Sequence, residues 1–146
     1  MSTNGQKNIS VVRAFFETTE SLKLEDIMGY FTEDAIYQNM PMPPATGKAQ
    51  VRDHLKFLLG GLSSFNVEIL NIADNQGVVF TERVDTLKGR GIHLRLPVTG
   101  TMVVQDGKIA SWKDYFDWFT LGLSILKGIP LAPFRLIQDR LPKKKK

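Results

Sequence analysis

The chain of 146 residues contains no cysteine, which excludes disulfides, a thiol nucleophile and any cysteine-based metal site. It has no run of about 18 apolar residues, the length that a membrane-spanning helix needs. Its first ten residues, MSTNGQKNIS, lack the apolar stretch of a secretory leader. These absences lead to the expectation of a cytoplasmic protein. Histidine is scarce: His54 and His93 share no ligand spacing with each other or with an acidic pair. A structural role is expected for both, and no metal. Net charge is also missing from the body of the chain. Lys143 to Lys146 supply four of the 19 basic residues, and the 15 that remain equal the 15 acidic ones. The pI of about 9.4 therefore describes a terminal tail rather than a basic face, and no nucleic-acid partner is expected.

What is present is a 42% apolar composition, enough for one domain with a core and too short for two. A single domain over 1–146 is expected, with 1–7 and 142–146 as disordered tails. Helical periodicity recurs three times: Val12, Phe15, Phe16 and Thr19, then Leu24, Ile27, Met28 and Phe31, then Val51, Leu55, Leu58, Leu59 and Leu62 behind Thr46 and Gly47. The period then changes to two. FNVEILNIAD and GVVFTERVDTLK are strand-like about DNQG, and IHLRLPVTGTMVVQ and KIASWKDYFDWF follow about DGK. Pro97 and Gly100 point to an edge or bulge, Ser63-Ser64 reads as a turn, and KGRG at 88–91 as a tight turn. From Leu121 a short helix, a turn and a second helix are expected. Helices first and a meander after them predict an α+β fold, with helices packed into the concavity of a curved mixed or antiparallel sheet.

Three stretches could carry chemistry. In YQNMPMP, Tyr37 and Asn39 stand two residues apart, hence on one face of a strand. In VVFTERVDTL, Arg83 and Asp85 share a face with Val79, Thr81 and Leu87. In the last strand Ala110, Trp112, Asp114, Phe116 and Trp118 share a face, against Ile109, Ser111, Lys113, Tyr115 and Asp117. A carboxylate on an aromatic face costs several kcal/mol unless it is paired, so Asp114 needs a cation, and Arg83 is the candidate. A plain buried ion pair would satisfy Asp114 but leaves Asp85 unexplained. Two carboxylates about one guanidinium titrate as a coupled pair. One can serve as base while the other keeps a proton, with Tyr37 and Asn39 able to hold a water.

YQNMPMPP, TERVDTL and WKDYFD, in this order, resemble the limonene-1,2-epoxide hydrolase family from about residue 8 to residue 118. The resemblance implies a cone-shaped α+β domain of the kind shared with steroid isomerases, polyketide cyclases and ligand-binding domains. It implies Asp114 as general base, Asp85 as general acid, Arg83 as the bridge between them, and Tyr37 and Asn39 as the clamp on the attacking water. It further implies a homodimer and one-step hydrolysis of a small lipophilic epoxide without metal or cofactor. On this reading Leu87, Leu96, Val98 and Phe116 line the pocket, with Met28 and Leu62. The short glycine-rich segment between Asp85 and Pro97, and the long C-terminal stretch, depart from the family pattern. An isomerase or cyclase, or a non-catalytic binding domain, is the alternative reading on the same fold. A membrane contact is not expected.

Overall fold

A computed structural model describes residues 3–128. Helix α1 (Thr3–Glu20) is followed by α2 (Leu24–Met28), strands β1 (Phe31–Asn39) and β2 (Ala45–Thr46), and α3 (Lys48–Leu59). Strands β3 (Leu62–Asn75), β4 (Val78–Gly89), β5 (Ile92–Gln105) and β6 (Lys108–Tyr115) come next, and α4 (Trp118–Gly128) ends the described chain. The strands form one sheet in the order β2-β1-β6-β5-β4-β3. All neighbours are antiparallel except β1 and β6, which run parallel. The fold is thus the predicted α+β class with a mixed sheet.

The three long hairpins close through Gln76-Gly77, Arg90-Gly91 and Asp106-Gly107, with positive φ at both residues of each pair. That backbone matches the twist of paired strands, and it is why a Gly stands second in every turn. The core lies between α1 to α3 and the concave face of the sheet. Ile9, Val12, Phe15, Phe16 and Thr19 of α1 are buried, and Phe15, Phe31 and Trp112 meet edge to face or stacked at 5.1 to 6.4 Å. Each such side chain contributes roughly 1.5–3 kcal/mol on burial.

Several boundaries differ from those read in the sequence. Thr3 to Lys7, expected as a tail, are the first turns of α1. Asp74 at the end of β3 ties down the next residue of the helix, accepting from the Asn8 amide at 3.1 Å. Phe31 and Leu62 open strands rather than close helices, since α2 stops at Met28 and α3 at Leu59. Ser63 and Ser64 lie within β3, because the turn falls one step earlier at Gly60-Gly61. In β6 a bulge at Ala110 leaves Ile109 opposite Val104 and Ser111 opposite Val103. Both Ile109 and Trp112 are therefore buried, where simple alternation had put them on opposite faces. Trp118 begins α4 rather than extending β6. Pro97 lies in the half of β5 that pairs with β4 but not with β6, whose ladder starts at Thr99. A proline without an N–H is accommodated at such an edge. The second C-terminal helix and the tail at 142–146 fall outside the described residues. Among the described residues no helix is long and apolar enough to cross a membrane.

Candidate active site

Arg83 and Asp85 follow one another on the concave face of β4, and Asp114 lies two strands away on β6. The β5 residue between Thr81 of β4 and Asp114 of β6 is Gly100. Across this gap the Arg83 guanidinium grips both acids. Nε donates to Asp85 Oδ1 at 3.0 Å and Nη2 to Asp85 Oδ2 at 3.2 Å. Nη1 donates to Asp114 Oδ1 at 3.0 Å and Nη2 to Asp114 Oδ2 at 2.6 Å. Nη1 also reaches Thr81 Oγ1 at 3.3 Å, so every guanidinium nitrogen has an acceptor. The cation is 1% exposed and lies over the Phe16 ring, 4.6 Å from its centroid.

Burial by itself disfavours the Arg83 cation, but Asp114 and Asp85 outweigh it and raise its pKa. Arg83 stays charged. Burial acts the other way on Asp85 and pushes its carboxyl up from 3.8 to about 6, against the pull of Arg83 and with the push of Asp114. The two acids differ in their donors as well. Arg83 donates to both, and Asp114 accepts in addition from Trp112 Nε1, to Oδ1 at 2.7 Å.

The Tyr37 hydroxyl donates to Asn39 Oδ1 at 3.0 Å, as the two-residue spacing on β1 requires. Burial and the nearby Asp114 raise the Tyr37 pKa, so the phenol is neutral. Its ring packs on Trp112 at 4.3 Å and meets the His54 ring edge-on at 5.1 Å. Register pairs Asn39 with Asp114 across the parallel ladder. Tyr37, Asn39, Asp85 and Asp114 all line one cavity of about 160 Å³, whose other walls include Leu55, Leu58, Leu59, Phe65, Leu96, Val98, Phe116 and Leu121. A wider open depression of about 1110 Å³ lies by the start of α1. It holds no buried acid row, and the smaller apolar cavity is the one that Tyr37, Asn39, Asp85 and Asp114 share.

Of the expected lining residues, Leu96, Val98 and Phe116 border the cavity. Three others lie elsewhere. Leu87 packs beside the Leu94, Leu96 and Val98 cluster, Met28 sits in the core under α1, and Leu62 opens β3 opposite Gly89. The stripe of α2 carries Met28 into the core, and Leu62 falls beyond the end of α3, whose stripe residues Leu55, Leu58 and Leu59 do line the cavity. Periodicity had marked Leu55, Leu58 and Leu59 only as core, and neither Trp112 nor Thr81 as a partner of the charged row. Gly100 had a legible signal, a glycine inside a strand. A Cβ there would stand 2.5 Å from Asp114 Oδ1 and 2.7 Å from Arg83 Nη1, so the ion bridge needs a residue without one. His93 is exposed at the start of β5. Burial lowers the pKa of His54. Among the described residues no group of three His, Asp or Glu side chains has the arrangement of a metal site.

Residues 6–127 match the sequence model of the limonene-1,2-epoxide hydrolase catalytic domain. The chain belongs to the limonene-1,2-epoxide hydrolase family. Epoxide hydrolase EphG of Mycobacterium tuberculosis is 27% identical over 118 residues, which cover 81% of this chain and 78% of the relative. A solved limonene-epoxide-hydrolase-like epoxide hydrolase from M. tuberculosis superposes with a TM-score of 0.78 at 25% identity, covering 90% of this chain and 98% of that one. A SnoaL-like polyketide cyclase structure from Shewanella putrefaciens CN-32 reaches a TM-score of 0.75 at 13% identity, covering 82% and 96%, a likeness of fold alone. Family membership supports epoxide hydrolysis as the activity of this chain.

Proposed function

We propose that the chain hydrolyses a small lipophilic epoxide of terpene, cycloalkene or steroid type to a vicinal diol in one step, with a directly activated water. The observation that carries this reading is the unequal occupation of the two oxygens of Asp114. Oδ1 of Asp114 already accepts from both Arg83 and Trp112. Oδ2 accepts from Arg83 only, so its remaining lone pair is the basic one. The Tyr37 proton is committed to Asn39 Oδ1. The phenol oxygen can therefore accept from a water, and the Asn39 amide N–H can donate to it. A water held this way turns a lone pair to the substrate and one proton to Asp114.

The electron flow balances. Water oxygen forms a bond to one epoxide carbon as its proton passes to Asp114 Oδ2. The C–O bond of the ring breaks, and the leaving oxygen takes the proton that Asp85 holds. One proton is shared by the two acids before and after, on opposite partners, and its return resets the site. Protonating a poor alkoxide as it leaves, and deprotonating the water as it attacks, contribute roughly 10² to 10⁴ each. The mostly apolar cavity suits a hydrocarbon-like epoxide. A cyclase or isomerase needs an acid facing an enolising carbon, and a water clamp beside the acid row has no task in either. The homodimer implied by family resemblance is also proposed, and sedimentation velocity reads it.

The test is diol formation from a panel of terpene, cyclohexene and steroid epoxides, run with Asp114→Asn and Asp85→Asn. Each substitution should abolish turnover without unfolding the chain. In a single turnover in ¹⁸O-water, label should enter the first diol formed. Unlabelled oxygen in that diol would mean a covalent ester on the protein and sink the one-step mechanism.

A further inference from the structure

The cavity borders an apolar surface that the hydrolysis does not use. Helix α4 has Trp118, Phe119, Leu123, Ile125 and Leu126 exposed, with Phe119 at 73% and Leu126 at 65%. Only Leu121 and Ser124 are half-buried, and Leu121 closes the cavity together with Leu58 of α3. On α3, Phe57 is 72% exposed beside Leu58. Exposed apolar side chains clustered in this way mark a contact site. Charge identifies the partner. Lys48 and Arg52 of α3 are taken up by Glu33 and Glu25. Among the described residues Lys56 and Lys127, near the C-terminal ends of α3 and α4, have no ion-pair partner. The 18 residues beyond α4 carry six of the 19 basic residues and one of the 15 acidic ones, so the chain through Gly128 is net −1 and its whole positive excess follows α4. A second copy seated on this patch would bring Lys56 and Lys127 of the two copies together.

We propose that α4 and the end of α3 form a docking surface for an anionic lipid membrane, facing the cavity toward the bilayer. This departs from the expectation of no membrane contact. Apolar side chains enter the acyl boundary while flanking lysines meet headgroup charge. A lipophilic epoxide dissolved in the bilayer would then pass to the cavity without crossing water. That last step rests on the proposed hydrolysis; the docking itself does not.

Trp118 is the probe, since the other tryptophan, Trp112, is buried. The full chain should co-sediment with vesicles of phosphatidylcholine and phosphatidylglycerol, with a blue shift of its fluorescence. Binding should weaken about a hundredfold on phosphatidylcholine alone or in high salt. The double variant Phe119→Ser/Leu126→Ser should lose about a hundredfold in binding, and replacing Lys143 to Lys146 by Gln should lose as much. Both variants should hydrolyse a water-soluble epoxide at the native rate. A chain that stays in solution with both vesicle types overturns the proposal. If the double variant also halves the sedimenting mass without lipid, a second copy is the occupant instead. Hydrolysis of the soluble epoxide is read in parallel, so an inactive chain that binds vesicles counts against the catalytic reading alone.

Discussion

Two arginines on adjacent strands show what burial does to the same chemistry. Arg83 on the concave face of β4 is enclosed by Asp85, Asp114, Thr81 and an aromatic ring. Arg95 on β5 reaches across the outer face of the sheet to Glu68, 3.9 Å away, with the two side chains 67% and 62% exposed. Water screens the outer pair, which is worth little. On the inner face water is excluded, so an unmatched charge is costly and a second acid beside one cation must shift its titration. The inner face becomes a water-excluded row of coupled charges and the outer one stays a solvated surface, although both are built from Arg and a carboxylate.

Removing the inner cation should have the largest effect. Arg83→Met leaves two buried carboxylates facing each other, and the loss should be about 3–5 kcal/mol in urea unfolding, with no detectable hydrolysis. Gly100→Ala comes next, since its methyl must displace Asp114 or Arg83. A stability loss of about 1–3 kcal/mol is expected, together with a fall in kcat greater than any rise in KM. A native kcat would show that the bridge tolerates the Cβ and is looser than its geometry.

The pH dependence of Asp85 sharpens the contrast further. Its folded pKa of about 6 lies above the ordinary 3.8. The native state therefore holds the proton more tightly than the unfolded chain, and this contribution to stability is full below about 3.8 and lost as pH rises through about 6. Asp85→Asn should flatten that slope in thermal melts across pH 4 to 7. In the native protein kcat/KM should fall as pH rises through about 6, as the acid form of Asp85 is consumed. The smallest effect belongs to the outer pair. Arg95→Met should change stability by less than about 0.5 kcal/mol and leave kcat unaltered. A larger loss would mean that the outer face is covered in the working assembly.

The acidic row was legible because its residues lie two apart on strands, and a period of two is independent of how the sheet is assembled. Asp114 among Ala110, Trp112, Phe116 and Trp118 signalled a buried charge before any partner was known. The bulge at Ala110 was not legible, because its cause is the register between β5 and β6, a relation between segments. Met28 failed for a related reason: an inward-facing residue on a helix can point to core or cavity, and sequence periodicity does not separate the two. Leu62 failed because α3 ends at Leu59 and Leu62 opens β3.

The sequence by itself therefore determined the fold class, the strands that carry Tyr37, Asn39, Arg83, Asp85 and Asp114, and the requirement that Asp114 be neutralised. Those follow from local periodicity and from the cost of burying a charge. Only the tertiary structure decided that Gly100 makes room for the bridge, that Trp112 fills one oxygen of Asp114, and that Leu55, Leu58 and Leu121 close the cavity. Each of these depends on distances between strands and helices remote in the chain, and such distances arise only when the core packs.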